Sequence, residues 1–233
     1  MKLSSRKRNA VLGVLFFLPV AFILVMMFAK DNYNPLDVVN DNVVEFPINE
    51  DSLQLNGHLT VLSFWGKKPM EHSTAAFNLK ELVYDINKGF KTFQVVVMLP
   101  PSAKAEAESL LKEIKSYEDL RFWHLLYTDE AQIRRVFNNL RSEVELDDNL
   151  GSDAVYIIDR EMNQRGRLDD RTKKEIETGA PVYGLFDYDC IDVGELKNKM
   201  AAEDMRVLFK EYRDKRKGNF AESDKRRQEG IKQ

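Results

Sequence analysis

Residues 10–29 read AVLGVLFFLPVAFILVMMFA, 20 consecutive positions without a charged side chain. About 20 such residues in a helix span the ~30 Å of hydrocarbon in a bilayer, so this run predicts a membrane helix. Gly13 and Pro19 do not argue against it, because both residue types are tolerated in membrane helices. A cleaved secretory signal is the competing reading. Its apolar core usually runs about 7–15 residues and ends in a small-x-small cleavage site. The run here is longer, and Met27 stands at the –3 position relative to Ala29. A retained anchor is therefore expected, with the lipid bilayer as partner through residues 10–29. Lys2, Arg6, Lys7 and Arg8 precede the run and no acid does. Positive charge stays cytoplasmic, so residues 1–9 are expected inside and everything after residue 29 outside. The expected location is single-pass in the inner (cytoplasmic) membrane, with an extracytoplasmic domain, periplasmic in a Gram-negative cell.

The formal net charge of −3 is an average over unlike parts. Residues 1–30 carry five bases and no acid; residues 31–206 carry 21 bases against 33 acids; residues 207–233 carry nine bases against five acids. A near-neutral total argues against a nucleic-acid binder. Cys190 is the single cysteine. One cysteine excludes an intramolecular disulfide, a CxxC redox pair and a cysteine-cluster zinc or iron–sulfur site. It also leaves no cysteine beside the membrane to carry a lipid.

Residues 30–41 are polar, rich in Asn and Asp, and read as a stalk. The chain is expected to enter a domain, residues 42–212, through a short strand near Val43–Phe46. Leu59–Trp65 (LTVLSFW) is a strongly apolar strand followed by the loop GKKPMEH. Ser73–Lys88 predicts a helix with Ala75, Leu79, Leu82, Val83 and Ile86 on one face and Ser73 as cap. Phe93–Leu99 is a buried strand stopped by Pro100 and Pro101. Ala103–Tyr117 and Glu130–Leu140 predict helices on either side of a short strand, Phe122–Leu126. An acidic loop, 141–153, leads to the strand Ala154–Asp159, a turn, and an antiparallel return at Arg165–Leu168. Residues 169–182 are charged and expected exposed. Asp192 and Glu195, at capping-box spacing, open a long helical region. Residues 213–233 read as a solvated charged tail. The alternation of strands and helices, closed by a hairpin and a helix, predicts an α/β fold: a thioredoxin-like sheet flanked by helices, preceded by one transmembrane helix.

Over about residues 40–210 the chain resembles the SCO/SenC family, membrane-anchored thioredoxin-like proteins of cytochrome c oxidase assembly. Three features carry the resemblance: LTVLSFWGKKPMEHS, AVYIIDREMNQRGRLD and the single N-terminal membrane helix. YDCIDVGELKNKM and VLFKEYRDKRK are similar to members of Bacteroidetes type. The resemblance implies a copper site made of two cysteines in a CPxxC loop and a distant histidine. Here Lys68 stands in place of the first cysteine, before the matching Pro69, and His72 in place of the second. The stretch expected to hold the histidine, DDNLGSD, holds none.

The binding loop equivalent to CPxxC is thus Lys68, Pro69, Met70 and His72, and no cofactor and no catalytic residue are expected. Met70 and His72, a thioether and an imidazole, are chemically acceptable copper ligands. Two ligands beside Lys68 are too few, so the alternative copper site would need Cys190 as well. Asp187, Asp189 and Asp192 surround Cys190 and disfavour its thiolate, so an inert buried cysteine is expected. His58 and His124 read as sheet histidines. The acids Glu143, Glu145, Asp147 and Asp148 lack a calcium-loop pattern. Phosphate-loop, dinucleotide and hydrolase motifs are absent. The expectation is a non-catalytic assembly or binding factor in respiratory oxidase biogenesis with a protein partner. A copper chaperone or redox protein using Met70, His72 and Cys190 is the alternative.

Overall fold

The computed structural model describes residues 5–28, 35–48, 52–115 and 119–216. The charged tail beyond residue 216 lies outside them. The chain divides into two units, residues 1–34 and 35–233.

In the first unit, helix α1 covers Ser5–Phe28 with Pro19 inside it. Over residues 11–25 its large apolar side chains are exposed, Leu15 at 67% and Phe16 at 72%. Among the described residues no helix is long and apolar enough to cross a membrane. The side chains of α1 are described without a break only over 11–25, and the expected anchor, 10–29, extends past them at both ends.

The second unit is built on one mixed sheet. Its strands are β1 Asp37–Asn40, β2 Leu59–Trp65, β3 Phe93–Leu99, β4 Trp123–Tyr127, β5 Gly151–Ile158, β6 Gln164–Gly166 and β7 Tyr188–Asp189. The order across the sheet is β1-β6-β5-β2-β3-β4, with β7 also on β5. β2 lies parallel to β3, and β3 to β4. β5 runs antiparallel to β2, β6 and β7. Two parallel crossovers followed by an antiparallel hairpin make the expected thioredoxin-like α/β sheet. All seven residues of β2 and all seven of β3 are buried, as strands covered on both faces must be, which explains their unbroken apolar runs.

Strand alternation divides the core between the two faces. Leu59, Val61, Trp65, Val95 and Val97 pack with α2 (Ser73–Leu79), α4 (Lys104–Lys115) and α7 (Met205–Arg216). Leu62, Phe64, Val96, Met98 and Tyr156 pack with Ile133, Val136 and Phe137 of α5 (Glu130–Asn139). Asp129 caps α5 by accepting from the Gln132 N–H at 2.9 Å.

Four local expectations need correction. The strand expected near 43–46 forms instead at Asp37–Asn40, so residues 37–40 belong to the sheet rather than to the stalk. The Val44 N–H is taken by the Asn139 side chain at 2.6 Å, which removes a ladder donor from 43–46. The helix expected over 73–88 is segmented: α2, a π-helical stretch Lys80–Tyr84, and the short α3, Asp85–Asn87. Ser73 is its first residue rather than its cap, and the cap position, His72, makes no side-chain capping bond. The long C-terminal helix likewise starts with a ten-residue π-helical segment, Glu195–Asp204. Its expected capping box is half present. Asp192 accepts from the Glu195 N–H at 3.1 Å, but the Glu195 carboxylate takes the Asp189 N–H at 2.9 Å. The exposed stretch 169–182 contains a short helix, α6 (Lys173–Glu177), closed by a complete Thr172–Glu175 capping box.

The AVYIID…RGR motif has a structural explanation. Asp159 turns the hairpin by accepting from the N–H groups of Glu161 and Asn163 at 3.0 and 2.8 Å. It also takes Arg165 at 3.0 Å. The Arg165 guanidinium is fully buried and reaches Glu211 of α7 and the Leu36 carbonyl, both at 2.6 Å. One cation thus ties the hairpin, the entry to β1 and the last helix together.

Candidate functional site

The buried strand β2 delivers the chain to Gly66, which turns it at φ +60°. A side chain here would overlap the Asn149 carbonyl. That carbonyl instead accepts the Lys67 N–H at 2.7 Å. The opposing loop is shaped by Asp147, whose carboxylate accepts the N–H groups of Asn149 and Gly151 at 2.8 and 2.7 Å. Asp147 of the acidic loop therefore serves the turn's own backbone.

Pro69–His72 follow as one 3₁₀ turn leading into α2. Proline suits its first position, because φ is preset and no N–H needs a partner there. Lys68, just before it, is exposed, and its ammonium lies 2.9 Å from Glu71. That hydrogen bond and charge raise its pKa above the ordinary lysine value. Met70 is 39% exposed, and its N–H donates to Glu106 of α4 at 2.9 Å. Lys67 pairs with Glu130 at 2.6 Å.

His72 is buried. Its Nδ1 lies 2.8 Å from the Asp153 carboxylate. A carboxylate only accepts, so Nδ1 carries the proton and donates. The other edge of the ring fills the space beside Gly151, where an added Cβ would overlap Nε2. The imidazole is held at its Nδ1 edge, and its Nε2 edge lies close to Gly151.

Asp153 also meets the segment of Cys190. The Cys190 N–H donates to the Asp153 carbonyl at 3.0 Å, continuing the β5–β7 ladder. The Cys190 carbonyl accepts from Asn78 of α2 at 2.8 Å. The thiol itself turns into the core, 1% exposed, in the cluster containing Ala75, Ala76 and Leu196. Burial pushes its pKa well above the usual thiol value, and Asp153, Asp189 and Glu195 push the same way. Such a thiol is a poor nucleophile and a poor source of thiolate ligand.

Lys68, Pro69, Met70 and His72 thus share one turn, while Cys190 is related to it through Asp153. Among the described residues no three His, Cys, Asp or Glu side chains converge in a set able to hold a metal ion. His58 immediately precedes β2, with its Nδ1 buried and without a hydrogen-bond partner. His124 lies in β4. Asp153 is the residue that sequence reading missed. Its signal was weak: an acid entering an otherwise apolar strand, opposite Cys190 only once the register is known. Met70, Phe77, Ile191 and Val193 are exposed apolar residues on the segments that meet here.

No family model matches the chain, and no curated protein does. Among solved structures the chain is similar in fold to BsSco, a member of the Sco family of cytochrome c oxidase assembly proteins. That match has 12% identity, covers 76% of this chain and 99% of the other, and has a TM-score of 0.44. It is also similar to a thiol:disulfide interchange protein DsbE from Chlorobium tepidum, at 13% identity, 74% and 99% coverage and a TM-score of 0.41. The soluble domain of Sco1 from Bacillus subtilis matches at 12% identity, 72% and 91% coverage and a TM-score of 0.38. These likenesses concern the fold, which the sheet order carries on its own.

Proposed function

We propose that the chain is an Sco-type thioredoxin-fold protein, held at the outer face of the inner membrane by residues 10–29, that works through protein contacts in respiratory oxidase assembly. The observation that carries this reading is the state of His72. It stands where the resembled family keeps a copper-binding cysteine, yet its ring is buried, with Nδ1 on Asp153 and Nε2 directed at Gly151 of the neighbouring strand rather than outward. The other donors fit copper no better. Lys68 brings a cation to the first ligand position, and the Cys190 thiol is buried and held protonated. What the turn offers outward is Met70, with Phe77, Ile191 and Val193 exposed on neighbouring segments. Exposed apolar groups beside a rigid turn suit a protein contact.

The test is a titration of the full-length protein in detergent with Cu(I) against a competing chelator, together with photo-crosslinking from position 70 in the native membrane. The expected result is no tight stoichiometric copper binding, and crosslinks to oxidase subunits or their assembly factors. Tight binding of one Cu(I), abolished by His72→Ala, would instead establish a replaced site using Met70, His72 and Cys190.

A further inference from the structure

The end of the sheet opposite the Pro69–His72 turn carries a second feature. β2 spans seven residues, so its two ends lie roughly 20 Å apart at about 3.3 Å per residue. At the end where β2 and β3 begin there is a cleft of about 780 Å³, within the range of small-molecule sites. Five cations line it: Lys91, Arg160, Arg213, Lys215 and Arg216. The lining contains one acid, Glu161, which lies 3.5 Å from Lys215.

This excess is set against an acidic body, 33 acids to 21 bases over residues 31–206. Helix polarity accounts for part of it, since Arg213, Lys215 and Arg216 occupy the last turn of α7, where cations are favoured. It does not account for Lys91, which precedes β3, or Arg160, which follows β5. These two come from other parts of the chain and bring like charges together.

The walls of the cleft are fixed. The Gly57 N–H donates to the Arg160 carbonyl at 2.9 Å, and Arg160 Nε donates back to the Gly57 carbonyl at 3.1 Å. The Arg160 N–H donates to the Tyr212 hydroxyl at 3.1 Å, and its guanidinium lies over the Tyr212 ring. Phe90 stacks on Phe209 with centroids 3.7 Å apart, joining the β3 approach to α7. Like charges held in a concave, cross-braced site repel one another unless an anion neutralises them.

We propose that this cleft binds an anionic phosphate group, carried either by a soluble phosphorylated compound or by a phospholipid headgroup. Arginines recognise phosphate oxygens through paired N–H donors, and lysines add point charge.

The test uses the full-length protein in neutral phosphatidylcholine nanodiscs, titrated calorimetrically with inorganic pyrophosphate and, separately, with glycerophosphoglycerol. One anion per chain is expected to bind. Lys91→Gln/Arg213→Gln should weaken binding at least about tenfold, since each charged hydrogen bond removed contributes measurably. Lys112→Gln/Lys115→Gln, an equal loss of charge on exposed positions of α4, should leave it unchanged. Tighter binding of glycerophosphoglycerol assigns the site to a lipid headgroup; tighter binding of pyrophosphate assigns it to a soluble phosphate. The proposal is overturned if neither anion binds, or if the α4 variant weakens binding as much as the cleft variant.

Discussion

The imidazole of His72 occupies the space that a side chain at position 151 would need, and Gly151 supplies that space by having none. Asp153, two residues further along the same strand, fixes the ring by its Nδ1 at 2.8 Å. The side chain that ends the turn after β2 is therefore tied to β5.

This relationship predicts a specific coupling. Gly151→Ala should drive the ring out of place and cost about 1–3 kcal/mol, as overpacking does. In a His72→Ala background the same change should cost much less, because the added methyl enters space the ring has left. Urea midpoints of the four proteins measure the coupling, expected between about 0.5 and 3 kcal/mol. Simple additivity would show that the ring and the missing side chain do not compete.

Cys190 should behave as a core side chain. Thiol reagents attack the thiolate, and burial disfavours it here. Labelling of the native protein at neutral pH is expected to be at least about tenfold slower than in denaturant. Asp153→Asn removes one nearby negative charge but leaves the desolvation, so it should not restore fast labelling. Fast labelling of the native wild type would contradict the burial of the thiol.

The buried Arg165 links Asp159 and Glu211. Arg165→Met leaves two carboxylates in the interior without their cation. The expected loss of stability is about 3–5 kcal/mol, read as a shift of the denaturation midpoint. A loss below about 1 kcal/mol would mean that the triad is replaceable by apolar packing.

Tyr156 and Tyr188 have their pKa values raised above 10.0, in each case chiefly by burial. The unfolded chain releases these protons near pH 10, whereas the folded chain retains them. Their contribution to stability is therefore complete below pH 10 and is lost as pH rises above it. The slope is about 1.4 kcal/mol per pH unit for each tyrosine kept neutral. Absorbance titration should show tyrosinate from these residues appearing together with loss of native circular dichroism. Gradual ionisation in a chain that stays folded would contradict it.

Much of the fold was legible because its strands are extreme. LTVLSFW and FQVVVML are apolar at nearly every position, a pattern that fits strands covered on both faces. The helix α5 was legible from its apolar spacing and its Asp129 cap. Less legible were the elements whose signal lies elsewhere in the chain. β1 appears at Asp37–Asn40 because β6 is there to pair with it, and the neighbouring Val44 is diverted by Asn139. The π-helical stretches at Lys80–Tyr84 and Glu195–Asp204 have no recognisable mark in their residues.

The division at the site is similar. The residue order alone determined that no cysteine pair exists, that Lys68 precedes Pro69, and that His72 ends the turn. It also determined that the one cysteine lies far along the chain. Only the tertiary structure decided what His72 does and where Cys190 sits. Both depend on Asp153, which reaches His72 through its carboxylate and Cys190 through its backbone. Chemistry is carried by residue type and can be read from a sequence. Proximity between residues 72, 153 and 190 is created by strand register, which is set when the two faces of the sheet bury their apolar side chains.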